Sequence, residues 1–198
     1  MAEAKIELAK RTMDYSTKSV LNRLKWVRRN IEKQNLTNLN MNFHFSDPKF
    51  NILSEALKSN VKQISTHTSK KNNKELFYWS EGSVSFGRDG ETSLSLHKDI
   101  NVTSITYGVD KITKNKGLEG MALRFGVDNV DVGSKGSKID SHTYNFTYYR
   151  NFQRNNNKSF LDTIIGVGLI ESDITSVTGD LLFHNKDRLG KQIYLTLK

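Results

Sequence analysis

From residue 76 onward, hydrophobic residues alternate with polar or small residues, and this period of two constrains the fold more than any other feature of the sequence. Such alternation is typical of β-strands with one apolar face. Six successive segments show it: "LFYWSEGSVSFG", "VTSITYGVDKI", "LEGMALRFGVD", "SHTYNFTYYR", "FLDTIIGVGLI" and "LGKQIYLTLK". The first covers about a dozen residues, whereas strands of globular proteins usually have roughly 5–6. The sequence therefore predicts a sheet of long strands.

Short segments rich in Gly, Asn and Asp separate these strands, among them "GRDGE", "KNKG", "NVDVGSKGSK" and "RNNNKS". Residues of these types favour the backbone conformations that tight reversals need. No helical pattern interrupts the series. We therefore predict a mainly β fold: an antiparallel up-and-down meander preceded by an N-terminal α-helical segment. The chemistry of the two faces and a family resemblance, both described below, make the meander part of a transmembrane β-barrel.

The two faces of the predicted strands differ in chemistry, since one carries polar and small residues and the other carries aliphatic and aromatic residues. A transmembrane barrel places its apolar face against lipid and its polar face around the lumen. The lumen-facing residues are then Trp79, Glu81, Thr106, Asp110, Arg124, Thr143, Asn145, Asp162, Gly166 and Gly168. The lipid-facing residues are Ile105, Tyr107, Leu123, Phe125, Tyr144, Phe146, Ile165 and Val167.

The first part of the chain follows a different pattern. Its apolar residues recur at the spacing of one helix stripe, at Val20, Leu24, Val27 and Ile31. Residues 36–45 alternate as a short extended segment, and a second short helix is predicted at residues 48–58. The apolar-free stretch "THTSKKNNKE" follows. We place a domain boundary there, between a helical and extended pre-barrel region at residues 1–75 and the N-terminal part of a barrel, about six strands, at residues 76–198.

Most of the net charge of +9 lies in that first region, where 15 Lys or Arg residues stand against 7 Asp or Glu residues. The predicted helix is therefore basic. Three interpretations of its charge remain open: a solvated face on a packed helix, contact with acidic groups such as Glu81, or binding of nucleic acid or anionic lipid.

No pattern in the sequence indicates catalysis or a cofactor. Cysteine is absent, which excludes disulfide bonds, thiolate zinc sites and cysteine nucleophiles. Asp140, Ser141 and His142 are adjacent, but on a strand Ser141 points away from the other two, so they cannot form a triad. The five histidines show no metal-ligand spacing. We expect a protein that is not an enzyme, with no catalytic residues, no metal site and no cofactor.

Four segments together resemble the translocator domain of bacterial autotransporters, the proteins of type V secretion: "FYWSEGSVSFGRDG", "TSITYGVDKI", "MALRFGVDNVDVGSKGSKIDSHTYNFTYYRNF" and "DTIIGVGLIESD". They occur in the family's order. The resemblance implies an outer-membrane β-barrel that anchors and helps secrete an N-terminal passenger, with a helix passing through its lumen. The implied partners are outer-membrane lipid, the protein's own passenger domain and the barrel-assembly machinery, with no nucleic acid.

The predicted strand number departs from the family, whose barrel has twelve strands and ends on an aromatic residue, while this sequence predicts six and ends at "YLTLK". An open sheet has two unpaired edges, which hydrocarbon does not tolerate. We therefore interpret the chain as a fragment, the end of a passenger region plus the first half of a barrel. Its expected location is the bacterial outer membrane, although no signal peptide is visible in it.

A different function stays open on the alternation alone, namely a soluble β-barrel or sandwich that binds an apolar small molecule. Tyr107, Phe125, Tyr144 and Phe146 would then line its pocket. The two interpretations differ in which face of the strands lies inside the protein.

Overall fold

The structure, a computed structural model, describes residues 2–33, 35–45, 76–90, 96–113, 117–153, 159–178 and 181–198. These residues form one helix and seven strands: α1 (Ala2–Asn30), β1 (Asn38–Phe45), β2 (Leu76–Asp89), β3 (Lys98–Ile112), β4 (Leu118–Val132), β5 (Ser137–Gln153), β6 (Phe160–Thr178) and β7 (Leu181–Leu197). The helix predicted at residues 48–58 and the linker at residues 66–75 lie outside the described residues.

All seven strands belong to one sheet in the order β1-β2-β3-β4-β5-β6-β7. Each neighbouring pair from β2 to β7 is antiparallel, which confirms the predicted meander. β1, where the sequence predicted an extended segment, pairs in parallel with β2. Within the part of the chain that the structure describes, the sheet is open, and β1 and β7 are its edges.

The strands of the meander are long, with 14 residues in β2 and 19 in β6. A membrane-spanning β-strand needs roughly 9–11 residues, so each of these strands is long enough to span. The hairpin between β4 and β5 turns on Gly133 and Gly136, whose φ values of 66° and 82° favour glycine. This is the "GSKGSK" segment that the sequence predicted as a hairpin.

β7 begins at Leu181, eight residues before the alternation found in the sequence. The earlier residues, "LLFHNKDR", do not alternate, yet they pair with the end of β6. A register shift between Ser172 and Ile174 interrupts that pairing. A bulge of this kind changes which face successive residues occupy, and this explains why a strict period of two did not reveal the start of the strand.

The helix α1 packs along one face of the sheet and contacts β4, β5, β6 and β7. Its predicted stripe forms the contact, because Val20, Leu24 and Val27 are fully buried. We call the sheet face against α1 the inner face and the opposite one the outer face. Among the described residues, no helix is both long enough and apolar enough to cross a membrane.

Two apolar clusters hold α1 at opposite ends of the strands. The Trp79 cluster joins Val20, Leu24, Val27 and Leu36 to Phe77, Trp79, Leu118, Ala122, Tyr149, Ile164 and Tyr194. The Ile139 cluster joins Leu8 to Ile100, Val102, Val130, Val132, Ile139, Ile170 and Ile174. Between them, Thr12, Ser16 and Ser19 of the helix are buried among polar sheet residues. The inner face therefore carries apolar clusters towards both ends of the strands beside its polar residues, whereas the sequence predicted a polar face along the whole strand.

Candidate functional site

The residues that the sequence assigned to the lumen all lie buried on the inner face, beneath α1: Trp79, Glu81, Thr106, Asp110, Arg124, Thr143, Asn145, Asp162, Gly166 and Gly168. The eight residues assigned to lipid lie on the outer face, where they are 36–53% exposed: Ile105, Tyr107, Leu123, Phe125, Tyr144, Phe146, Ile165 and Val167. The structure thus separates the two sets by face. Contact of one set with a lumen and of the other with lipid stays a prediction.

A buried ion pair joins the C-terminal part of α1 to β3. The Arg23 Nε and Nη2 atoms each donate to one carboxylate oxygen of Asp110, at 2.7 Å in both cases, and both side chains are almost fully buried. The Tyr149 hydroxyl donates to Asp110 at 2.9 Å and accepts a hydrogen bond from Trp79 Nε1 at 2.8 Å. A two-point contact between a guanidinium and a carboxylate fixes direction as well as distance. The network therefore sets the position of α1 along the strands.

A second ion pair lies nearer the end of α1. Arg28 Nη1 donates to both carboxylate oxygens of Asp162 at 2.9 Å, and its guanidinium lies 3.9 Å from the ring centroid of Phe160. Asn151 on β5 also donates to Asp162. Asp162 itself is buried while Arg28 is partly exposed. This contact fixes the helix against β6 and the rim of the sheet.

Further polar contacts continue along the helix. Asn22 Nδ2 donates to Glu81 at 3.2 Å, and the Lys98 ammonium lies 2.7 Å from Glu7 at the other end of α1. Acidic groups of the sheet thus bind Asn22, Arg23 and Arg28 of α1, in line with one of the three interpretations left open by the sequence, while Lys98 and Glu7 form a contact of the opposite sense. Sequence reasoning named Glu81 but missed the pairing of Arg23 with Asp110, because nothing local in either segment indicates the partner.

Several glycines of the inner face lie directly under large side chains of neighbouring strands. A Cβ atom added at Gly108 would come closer than 3.0 Å to the Trp79 ring, and one at Gly166 would do the same to the Tyr194 ring. Gly120 lies in the same way under Tyr149. These glycines therefore make room for side chains from adjacent strands, whereas the sequence predicted that small residues such as Gly166 and Gly168 leave room for an occupying helix.

The middle of the inner face is polar and less completely paired. Arg124, fully buried, donates through Nη1 to the Thr143 hydroxyl at 3.3 Å and lies 5.6 Å from the Tyr15 ring centroid. Gln192 Nε2 donates to Asn145 Oδ1 at 2.7 Å. Within the described residues, the Arg124 Nε and Nη2 atoms have no hydrogen-bond partner. The ion pairs lie elsewhere, so this middle section contributes less to fixing the helix than the Arg23 and Arg28 contacts do.

Gly166→Ala is expected to lower the free energy of unfolding by about 1–3 kcal/mol, the usual effect of adding a methyl group to a tightly packed site. The new Cβ would overlap the Tyr194 ring, which the Thr147 hydroxyl holds at 2.6 Å. Gly190→Ala on β7 is the matched control, because its Cβ would make an ordinary contact with Ile170 at 3.6 Å. Urea unfolding in detergent micelles measures both. Equal stability of the two variants would contradict the packing role of Gly166.

The outer face presents the aromatic residues that the alternative function placed in a pocket. Phe125 and Tyr144 pack edge to face, with ring centroids 6.0 Å apart. They border a shallow groove of about 500 Å³ that also includes Leu123, Phe146 and Val167. All five side chains are substantially exposed. Within the described ranges, these residues therefore line an open surface.

The described residues that could suggest catalysis are not brought together. Ser141 is buried on the inner face, while His142 is exposed on the outer face. No group of three or more His, Asp or Glu residues in the described ranges is placed to hold a metal ion.

Long meander strands, an exposed apolar outer face and a polar inner section covered by a helix define the wall of a transmembrane β-barrel. The family model of the autotransporter beta-domain matches residues 78–188, more than half of the chain, and the chain belongs to this family. Comparisons with curated proteins and with solved structures gave no match. The family is one of translocators of the bacterial outer membrane, in type V secretion, and not a catalytic family.

Proposed function

We propose that this chain anchors an N-terminal passenger in the outer membrane and helps it to cross, with α1 as the segment that occupies the lumen. The observation that carries the proposal is the seating of α1 on the inner face through the buried contact of Arg23 with Asp110. The helix is held by buried ion pairs on the inner face of a sheet whose outer face is apolar. This arrangement suits a segment that connects a barrel to a passenger domain.

The proposal states what each face of the sheet contacts. Outer-face residues such as Leu123 and Val167 contact lipid, because a continuous apolar surface of this extent is unfavourable in water. Inner-face residues such as Asp110 and Asp162 line the lumen and hold the helix. Within the described sheet, β7 is the edge at which closing pairing would form, since a membrane barrel must close to satisfy its backbone.

The proposed partners follow from the same surfaces. The outer face meets outer-membrane lipid, α1 continues to the passenger, and the barrel-assembly machinery of the family inserts the sheet. Nucleic acid is not among the proposed partners, and Arg23 and Arg28, engaged by Asp110 and Asp162, do not contribute to an exposed basic surface. Among the basic residues of α1, Lys10, Lys25 and Arg29 stay exposed on the side away from the sheet.

The purified chain is expected to depend on detergent or lipid for solubility. Side chains such as Ile105, Phe146 and Ile193 have no covering layer within the described structure, so the outer faces of different molecules would associate in plain buffer. Size-exclusion chromatography with and without detergent micelles measures this. A monodisperse monomer in plain buffer would contradict a lipid-directed outer face.

Export of the passenger needs a separate test. With an export signal and a short epitope tag placed ahead of residue 1, cells carrying the chain should show the tag to antibody and to added protease while intact. The outer-membrane fraction should contain the chain in a form whose gel mobility changes on heating. If the chain were in that fraction and the tag stayed inaccessible, it would be a membrane protein without the proposed role in passage.

A further inference from the structure

β1 is the one strand of the described sheet that pairs in parallel. Its residues lie beside β2 in the register Asn38 to Trp79 through Phe45 to Phe86. All other neighbouring pairs in the described sheet are antiparallel. β1 therefore lies along the free edge of β2, the first strand of the meander, and runs in the same direction as β2, so its pairing differs from the other pairings of the described sheet.

The properties of β1 do not suit a strand of a membrane barrel. It has 8 residues, against 14 in β2, and a spanning strand needs roughly 9–11. Single-chain barrels of the bacterial outer membrane are antiparallel throughout and have an even number of strands, so the strand that closes such a barrel runs antiparallel to the first. The position that β1 occupies is therefore the position that a closing strand needs.

Within the described residues, β1 is attached to the sheet through one neighbouring strand. In the described part of the chain its strand partner is β2 alone, and it leaves both ends of β2 uncovered. Parallel pairing is slightly less stable per residue than antiparallel pairing. At its start, β1 is held by Arg23, whose Nη1 atom donates to the Leu36 carbonyl at 2.6 Å and to Asn38 Oδ1 at 2.8 Å. The same guanidinium binds Asp110, so the seated helix also positions β1.

We propose that β1 is a removable cover of the β2 edge, which protects that edge before closure and is displaced when an antiparallel strand takes its place. An exposed edge strand of 14 residues is a site for uncontrolled pairing with other chains, and a short parallel strand covers it without a stable ladder along its full length. The proposal rests on the proposed function, because it requires the sheet to close into a membrane barrel.

A reversible cross-link tests the displacement. Asn42 and Ser83 are register partners in β1 and β2, and the sequence has no cysteine, so N42C/S83C introduces one disulfide pair at neighbouring Cα positions, where such a bond fits. The matched control is S80C/Y107C, which joins β2 to β3 on the outer face, a pairing that closure keeps. Both variants are oxidised, transferred to phospholipid vesicles and assayed by heat-dependent gel mobility.

The oxidised N42C/S83C protein is expected to lose most of its folded, heat-sensitive band and to regain it on reduction, while oxidised S80C/Y107C keeps its band. Equal folding of the oxidised and reduced N42C/S83C protein would show that β1 stays in the wall and would overturn the proposal. Failure of the N42C/S83C disulfide to form, while the control disulfide forms, would also overturn it. Absence of a folded band in the wild-type protein would instead count against the barrel function itself.

Discussion

Asp110→Ala is expected to lower the free energy of unfolding by about 3–5 kcal/mol, the range found when one partner of a buried ion pair is removed. The substitution leaves the Arg23 guanidinium buried without its carboxylate and also removes the acceptor of the Tyr149 hydroxyl. The measurement is urea unfolding in detergent micelles, followed by the fluorescence of Trp26 and Trp79, both of which lie close to Arg23.

Two further variants separate the ion pair from general packing. Asp99→Ala removes the acid of an exposed pair with Arg88 and should leave stability nearly unchanged, because solvent and salt screen such pairs. The double substitution Arg23→Met with Asp110→Leu should recover much of the lost stability, since apolar residues of similar volume often replace a buried pair without loss. If Asp110→Ala and Asp99→Ala had the same small effect, α1 would not be held by Arg23.

Leu123→Arg is expected to destabilise the folded, membrane-inserted protein by about 2–4 kcal/mol, the cost of a lipid-facing cation near the bilayer midplane. Leu123 lies on the outer face of β4, beside Phe146 on β5. Asn129→Arg is the matched control on the same strand and face, near its end, where a cation costs only about 0–1 kcal/mol. Folding yield and unfolding in phospholipid vesicles measure both variants.

One result of this comparison would contradict the proposed contact of Leu123 with lipid. If Leu123→Arg and Asn129→Arg folded equally well in vesicles, the outer face would not meet hydrocarbon at Leu123, and the assignment of Phe125 and Val167 to lipid would fail with it. A general effect of an added charge would affect both variants, so their difference reports the depth of the site in the membrane.

Much of the fold could be predicted from the sequence because its signals are local. The stripe of Val20, Leu24 and Val27 defines the packing face of α1, and the alternation around Leu123 and Val167 defines the two faces of the sheet. Each of these patterns depends only on the geometry of one helix or one strand. Several segments, in their order along the chain, resemble the translocator domain of autotransporters. The family model confirms this family.

The parts that could not be predicted depend on which residues meet across the sheet. The pairing of Arg23 with Asp110, the ring of Trp79 over Gly108 and the parallel direction of β1 follow from register and tertiary packing. The apolar ends of the inner face, such as Ile100 and Ile139, were missed for another reason. The alternation separated an apolar from a polar face, while in the structure the strand ends are apolar on the inner face as well.

The Trp79 cluster and the Ile139 cluster have a consequence for permeability. Each packs apolar side chains of the sheet directly against α1, one on either side of the polar section that contains Arg124. Water and ions moving along the inner face would have to pass both apolar clusters. An ion in an apolar constriction loses its hydration without gaining other polar contacts. If α1 occupies the lumen as proposed, the helix and the two apolar clusters would restrict the passage of water and ions along this wall of the barrel.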